Sequence, residues 1–248
     1  MRETRIIMGM PISLAVVDNK VRPQDLDAVF ATFAAADAQF SPFKDDSEVS
    51  RLNRGEIIET DLTLTMREVF ALCEKTKQET RGFFDIVRPD GTIDPCGMVK
   101  GWAIKNAARQ LCDMGFANFC VEAGGDIQCR GVNDQGGEWT VGIRNPFNPD
   151  EIVKVLTPKG HGVATSGNYI RGDHIYNPHT GAYGSEDIVS LTVIGPDVLE
   201  ADRYATAAFA MGREGIHFIE RAPGLEGYEI DAHGVARMTS GLGRYLPC

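Results

Sequence analysis

The chain has 248 residues, of which 43% are hydrophobic and 24% are charged, a composition that excludes a mainly disordered protein. The length suits one large domain or two small ones, and we predict a single domain over residues 1–248. The formal net charge of −10 repels phosphate backbones and argues against nonspecific binding of nucleic acid.

The N-terminal segment alternates apolar and polar residues, which predicts one β-strand. The apolar positions are Ile6, Met8, Met10, Ile12, Leu14 and Val16. The segment has no apolar stretch of signal-peptide length, and nowhere in the chain do about eighteen apolar residues follow one another. We therefore expect a cytoplasmic protein without a signal peptide and without a membrane span.

Several segments have the pattern of helices. Residues 23–40 begin with a proline and acidic residues and carry an apolar stripe, which is typical of a helix. Ser47 is expected to cap a short helix, and Thr65 to open a longer one that ends at Gly82. Further helices are predicted at 99–114 and 201–211.

Most strands are predicted after the helix at 99–114. Their expected positions are 119–122, 127–130, 140–144, 152–156, 162–166, 174–176 and 188–195. The glycine-rich C-terminal tail favours turns and short strands. This order predicts an α+β protein with mixed β-sheets flanked by helices.

The cysteines are Cys73, Cys96, Cys112, Cys120, Cys129 and Cys248. They contain no CxxC pair and no zinc-ligand spacing. In a chain of this length we expect buried thiols in preference to a disulfide framework.

Two short loops could bind a ligand. Gly124-Gly125-Asp126 offers two residues that tolerate positive φ, followed by a carboxylate, although a tight hairpin turn has the same sequence. Thr165-Ser166-Gly167 could donate backbone N–H groups to phosphate oxygens, or could be an ordinary polar loop.

Four single residues could carry chemistry. Asp202 and Thr206 lie four positions apart on a predicted helix, so their oxygens share one face and could bind Mg²⁺ or simply face solvent. His174 could be a general base or a structural histidine. Lys100 could contact an anion at a helix start or lie on the surface.

The order of these and further motifs resembles the ApbE family, the FAD:protein FMN transferases. The motifs run in order from Met8 to about Gly212. They are MG (8–9), SPFKDDSEVSRLN (41–53), GFFDI (82–86), DPCGMVKGWA (94–103), EAGGDIQCRG (122–131), ATSGNYIRGDHIYNPHTG (164–181) and ADRYATAAFAMG (201–212).

The resemblance implies an ApbE-like fold and an enzyme that moves FMN from FAD to a Thr or Ser hydroxyl of a target flavoprotein, releasing AMP. It implies metal ligation by Asp202, Thr206 and the carbonyl of Gly97, with Mg²⁺ as the expected ion and His174 as the base. The positions that match the family's FAD-binding site are Met8, Ser41, Phe43, Asp85, Lys100, Gly125, Asp126, Thr165 and Ser166.

The sequence departs from the family pattern at several positions. Asn177 stands where the family has an aspartate, His179 where it has an arginine, and Cys96 where it has the first glycine of a pair. Asp85 and Asp94 are nine positions apart, where family members carry a helical insertion, so we expect one lobe to be truncated. These departures leave open a protein that binds FAD without chemistry. An FAD pyrophosphatase that yields FMN and AMP is a further alternative, because the same metal site would serve water as the nucleophile.

Overall fold

The computed structural model describes residues 1–168 and 175–247. In these residues, ten strands and six α-helices are present. The strands are β1 Arg2–Ile7, β2 Met10–Val16, β3 Phe119–Ala123, β4 Asp126–Arg130, β5 Val141–Asn145, β6 Asn148–Leu156, β7 Gly162–Gly167, β8 Ile188–Gly195, β9 Glu226–Asp231 and β10 Ala236–Met238. The helices are α1 Pro23–Phe40, α2 Glu48–Asn53, α3 Leu64–Glu79, α4 Cys96–Asp113, α5 Val198–Ala210 and α6 Glu214–Arg221. Short 3-10 helices occur at Glu59–Asp61 and Leu242–Tyr245.

The α+β prediction is confirmed by a large antiparallel sheet with helices packed on it. The strand order in the eight-stranded sheet is β1-β2-β3-β4-β7-β8-β9-β10, while β5 and β6 form a separate two-stranded sheet. The sheet has an irregular centre: β7 and β8 pair from Gly162 to Gly167, whereas β4 and β7 pair only at Ile127–Val163 and Gln128–Gly162.

The prediction of one N-terminal strand is wrong, because the segment folds back on itself. Ile7 pairs with Met10, and the two residues between them, Met8 and Gly9, have φ angles of 55° and 68°. Two consecutive positive φ angles make the type I′ turn that suits a two-residue hairpin. Such a turn leaves the alternation of apolar residues unbroken on both sides, so the pattern does not reveal it.

The predicted helices are present, with shifted ends. The helix at 23–40 has the expected bounds, and Ser47 caps α2 by accepting a hydrogen bond from the N–H of Ser50 at 3.0 Å. The helices α3, α4 and α5 begin one to three residues before their predicted starts. The helix α6 was missed, because its eight residues are fewer than the window over which a helical period is recognised.

The predicted strand at 174–176 is only partly within the described residues. In the described part Tyr176 forms an isolated bridge with Tyr183, so no continuous strand follows His174, which itself lies outside the described residues. The cysteine prediction is wrong for one pair. Cys120 and Cys129 are direct partners across β3 and β4 and form a disulfide, while Cys73 is a buried thiol.

The core consists of three clusters of buried side chains. The largest joins β2 and β3 to α1, α3 and α4, the second lies between β8 and the helices α5 and α6, and the third packs β5 and β6 on β9 and the C-terminal 3-10 helix. The helices α4 and α5 approach each other closely at Gly101. A Cβ at this position would lie 3.1 Å from the backbone Cα of Leu199. Over residues 1–168 and 175–247, none of the helices has the length and apolar character required to cross a membrane.

Candidate functional site

A cavity of about 730 Å³ lies between the first and the third core clusters. This volume is within the usual range of small-molecule pockets, which is several hundred to about 1,000 Å³. The lining includes eleven of the twelve residues that the sequence assigned to FAD and metal binding within the described part of the chain. They are Met8, Ser41, Phe43, Asp85, Gly97, Lys100, Gly125, Thr165, Ser166, Asp202 and Thr206.

The two hairpin turns form one rim of the cavity. Met8 and Gly9 join β1 to β2, while Gly124 and Gly125 join β3 to β4, and both turns line the cavity. Gly124 and Gly125 have φ angles of 57° and 95°, so this segment is both the hairpin turn and the ligand-facing loop that the sequence left as alternatives. A Cβ at Gly125 would meet nothing within 4 Å, which leaves its backbone open to a ligand.

Two buried carboxylates and one lysine form the base of the site. Asp202 on α5 and Asp126 at the start of β4 are 2% and 0% exposed. The Nζ of Lys100 lies 2.6 Å from Asp126 Oδ2 and 3.6 Å from Asp202 Oδ1. Asp126 does not itself line the cavity; it holds Lys100 from behind and, through Oδ1, accepts a hydrogen bond from the N–H of Thr165 at 3.0 Å.

The electrostatics of this cluster favour an additional cation. Burial raises the pKa of Asp202, the charge of Lys100 lowers it, and the neighbouring Asp126 raises it again. With both carboxylates ionised, the cluster carries two negative charges against the single positive charge of Lys100. A buried excess of negative charge is costly unless a cation compensates it.

The donor set fits a hard divalent metal ion. Asp202 supplies a carboxylate, Thr206 supplies a hydroxyl one turn further along α5, and Gly97 lies at the start of α4 next to Thr206, whose Cγ2 would be 3.3 Å from a Cβ at Gly97. All of these donors are oxygens, which Mg²⁺ prefers. The described residues hold no group of three or more His, Cys, Asp or Glu side chains that could bind a metal. In proteins Mg²⁺ usually keeps several water ligands and binds through one or two carboxylates and substrate phosphates.

A hydrogen bond from α4 fixes the carboxylate of Asp202. The N–H of Gly101 donates to Asp202 Oδ2 at 2.8 Å. In a regular helix the carbonyl of Gly97 lies one turn before that N–H. The bond therefore holds the carboxylate of Asp202 beside the first turn of α4, which contains Gly97.

An exposed aromatic residue also lines the cavity. Phe43 lies in the turn between α1 and α2, is 83% exposed and lines the cavity. The turn is ordered by Ser47, whose Oγ donates to the carbonyl of Ser41 at 2.6 Å, and by an ion pair of 2.5 Å between Lys44 and Asp37. An exposed ring on an ordered turn can stack on a planar ligand.

Asp85 is tied to neighbouring groups on several sides. Its Oδ2 lies 2.6 Å from the Nζ of Lys77, and its Oδ1 accepts from the N–H of Val87 at 3.0 Å. The hydroxyl of Tyr176 donates to the carbonyl of Asp85 at 2.9 Å. Burial and the charge of Asp85 raise the pKa of Tyr176 to about 12, so the hydroxyl keeps its proton and remains a donor. Tyr176 lines the cavity and was missed by the sequence analysis.

The residues that depart from the family pattern have structural partners. The side-chain amide of Asn177 donates to the carbonyl of Ala210 at the end of α5 at 3.1 Å, and its oxygen accepts from the N–H of His179 at 2.9 Å. His179 Nε2 lies 3.0 Å from the carbonyl of Arg81. Cys96 is exposed and lines the cavity beside Gly97.

The short segment between Asp85 and Asp94 is closed by a bridge between Val87 and Ile93. Asn53 on α2 holds it from outside, donating to the carbonyl of Ile93 at 2.9 Å and accepting from its N–H at 2.8 Å. The segment is therefore an ordered part of the cavity wall. That one lobe is truncated relative to other members stays a prediction.

The fold and the site define a class of protein. It is an α+β protein whose cleft is large enough for a nucleotide, with an exposed aromatic residue in its lining and an acidic, oxygen-rich site suited to a metal ion. The chain belongs to the ApbE family, whose family model matches residues 8–88 and 87–228.

Curated relatives and solved structures agree with this assignment. The chain is 34% identical over 155 residues to an FAD:protein FMN transferase of Escherichia coli K12, covering 59% of this chain and 44% of the relative. It is 29% identical over 170 residues to the Vibrio cholerae FAD:protein FMN transferase, covering 65% of this chain and 51% of the relative. The chain thus spans about half the length of the curated relatives it matches.

Two solved structures have the same fold. The flavin transferase ApbE of Vibrio cholerae superposes with a TM-score of 0.84 at 21% identity, with 99% of each chain covered. The ApbE protein of Thermotoga maritima superposes with a TM-score of 0.84 at 21% identity, covering 100% of this chain and 99% of the other. These matches confirm the ApbE-like fold expected from the sequence.

Proposed function

We propose that this chain is a Mg²⁺-dependent FAD:protein FMN transferase. The observation that carries the proposal is the oxygen site at the base of the cleft, where Gly101 N–H and Lys100 position the carboxylate of Asp202 next to Thr206 and Gly97. Membership of the ApbE family and relatives named FAD:protein FMN transferase support FAD as the substrate and a flavoprotein as the acceptor.

The reaction transfers one phosphoryl group. The hydroxyl oxygen of an acceptor Thr or Ser attacks the phosphorus of the FMN half of FAD and forms a new P–O bond. The bond from that phosphorus to the bridging oxygen breaks, and its electron pair leaves with AMP. The hydroxyl proton passes to a base, for which we propose His174; this residue lies outside the described part of the chain.

The residues of the cleft form one group for the flavin and nucleotide and another for the phosphates. Phe43 stacks on the flavin ring, and the hairpin turns at Met8 and Gly125 contact the nucleotide through their backbones. Thr165 and Ser166, at the end of β7, offer hydroxyl and N–H groups to phosphate oxygens. Asp202, Thr206 and the Gly97 carbonyl would hold Mg²⁺, which when bound neutralises charge on the pyrophosphate and on the leaving AMP.

Mass analysis of the nucleotides formed from FAD tests the proposal. The protein is incubated with FAD and Mg²⁺, with and without flavoprotein domains that carry a Thr or Ser acceptor site. The proposal predicts AMP only when an acceptor is present, together with an acceptor that gains one FMN. AMP and FMN without an acceptor would identify a pyrophosphatase instead, and FAD recovered whole in every mixture would identify a protein that only binds the flavin.

The Asp202→Asn variant tests the role of the base of the cleft. The asparagine keeps an oxygen for the N–H of Gly101 but loses the charge that a metal ion needs, so we expect the metal-dependent turnover to be lost while the protein stays folded. Asp150→Asn, on the exposed strand β6, is the matched control with the same charge change and should retain full activity. Full activity in Asp202→Asn would show that this carboxylate is not a metal ligand. The cytoplasmic location stays a prediction.

A further inference from the structure

The basic residues that line the cleft differ in whether a nearby carboxylate pairs with them. Four described basic residues line it: Lys44, Arg88, Lys100 and Arg144. Lys44 pairs with Asp37, Arg88 with Asp94, and Lys100 with Asp126. Within residues 1–168 and 175–247, the structure gives no ion pair or side-chain hydrogen bond to Arg144. Among the described basic residues that line the cleft, Arg144 is therefore the one without a carboxylate partner in the described part of the chain.

The local backbone directs Arg144 at the cleft. It lies near the end of β5, where the register with β6 is interrupted on both sides of Arg144, between Ile143 and Arg144 and again between Arg144 and Asn145. Such irregularities change the direction in which a side chain points and are frequent beside binding sites. The strand itself is anchored, because Val141 and Ile143 are buried in the third core cluster, so an exposed arginine is presented from a fixed support.

Arg144 and Phe43 belong to opposite walls of the cleft. Phe43 is in the turn between α1 and α2, which pack in the first core cluster, whereas β5 packs in the third. If the flavin ring stacks on Phe43, the ribityl chain, the two phosphates and the adenosine lie beyond the ring. The adenosine monophosphate half is the part of FAD farthest from the ring, so it is the part that reaches the wall with Arg144, and its phosphate carries one of the two pyrophosphate charges.

We propose that Arg144 binds the phosphate on the adenosine side of FAD, the group that leaves as AMP. This inference rests on the proposed use of FAD. A guanidinium forms paired, charge-assisted hydrogen bonds with phosphate oxygens. In a chain with a net charge of −10, one uncompensated cation at the cleft provides local attraction for a dianionic ligand. When the bond to the FMN phosphorus breaks, the additional negative charge on AMP develops next to this guanidinium.

Equilibrium binding of separate parts of FAD tests the assignment. Dissociation constants for FAD, AMP and riboflavin are measured for the wild type, Arg144→Gln and Arg144→Lys. Loss of one charge-assisted contact predicts about tenfold weaker binding of FAD and AMP to Arg144→Gln. Arg144→Lys should lose less, because the charge is kept, and riboflavin, which has no phosphate, should bind all three proteins equally. Raising the salt concentration should narrow the difference between wild type and Arg144→Gln.

A second exposed arginine provides the matched control. Arg221→Gln, in the last turn of α6, removes the same charge outside the cleft and should leave all three dissociation constants unchanged. AMP binding to Arg144→Gln at the wild-type level would overturn the inference while leaving the proposed function standing. A variant with normal FAD and AMP binding but a raised KM for the acceptor would also overturn it, because Arg144 would then face the acceptor protein. Wild-type protein that binds no FAD would overturn the proposed function itself.

Discussion

Replacing Gly101 by alanine separates the stability of the helix from the integrity of the site. In an open helix this change stabilises a protein by about 1 kcal/mol, because glycine is a poor helix former. Here a Cβ would lie 2.8 Å from Asp202 Cβ, 3.0 Å from Asp202 Oδ2 and 3.1 Å from the Cα of Leu199. The last of these is backbone, so the clash cannot be relieved by rotating one side chain; α4 and α5 must move apart.

The expected cost follows from these two opposing effects. Overpacking of a close contact costs about 1–3 kcal/mol, so after the gain in helix propensity we expect a net loss of about 1 kcal/mol. For a chain of this size that loss lowers Tm by about 2–4 °C. The effect on activity should be far larger, because Asp202 is the group that is displaced, and a shift of about 1 Å in a catalytic site costs about 100-fold in rate.

Thermal unfolding and FAD turnover measured on the same preparation check this prediction. Gly243→Ala is the matched control, since Gly243 also lies in a helical segment, the 3-10 helix Leu242–Tyr245, and its Cβ would meet nothing within 4 Å. We expect the control to keep its Tm and its activity. A Gly101→Ala protein with raised Tm and full activity would refute the reasoning about the contact between α4 and α5.

Three other predictions follow from individual side chains. Arg203 is 3% exposed and donates hydrogen bonds to Thr76 and Glu79 on α3 and to Glu200. Arg203→Ala should therefore lower the free energy of unfolding in urea by about 3 kcal/mol, and an unchanged urea midpoint of unfolding would contradict this. Burial and the charge of Asp85 raise the pKa of Cys73 to about 12, so iodoacetamide at pH 8 should leave Cys73 intact while it alkylates the exposed Cys96. Bound FAD should slow the alkylation of Cys96, and peptide mass mapping detects both results. Asn177→Asp should lower Tm by a few degrees, because a carboxylate cannot donate to the carbonyl of Ala210 and its charge is unfavourable at a helix C-terminus; an equal or higher Tm would show that this bond is unimportant.

The regular elements could be predicted where a local signal coincides with burial. The helix at 23–40 has its proline start, its acidic first turn and an apolar stripe, and its bounds are as predicted. The start of α4 was placed three residues late, because the stop and start signals there depend on a side chain: Asp94 Oδ1 accepts from the N–H of Cys96 at 3.0 Å. Nothing in the spacing of residues indicates such a contact in advance.

The sequence predicted which residues line the site, but not how they are arranged relative to one another. The motif order identified the residues that line the cleft, and eleven of them do so. It did not show that Asp126 lies behind the wall and holds Lys100, because an ion pair between residues 26 positions apart depends on how β4 meets α4. Arg144 lies outside every motif, and Tyr176 lies within the motif at 164–181 without being assigned a role; their place in the cleft is set by strand irregularity and long-range packing.

The narrow pairing between β4 and β7 has a mechanical consequence. The eight-stranded sheet is continuous at its centre through only two residue pairs, and beyond them the carboxylate of Asp126 takes the place of a backbone acceptor for Thr165. The helices α4 and α5 also pack on each other beside this seam. Gly125, next to β4, and Thr165 and Ser166 on β7 all line the cleft. A ligand that contacts both sides would therefore add cohesion where the backbone of the sheet provides few pairs.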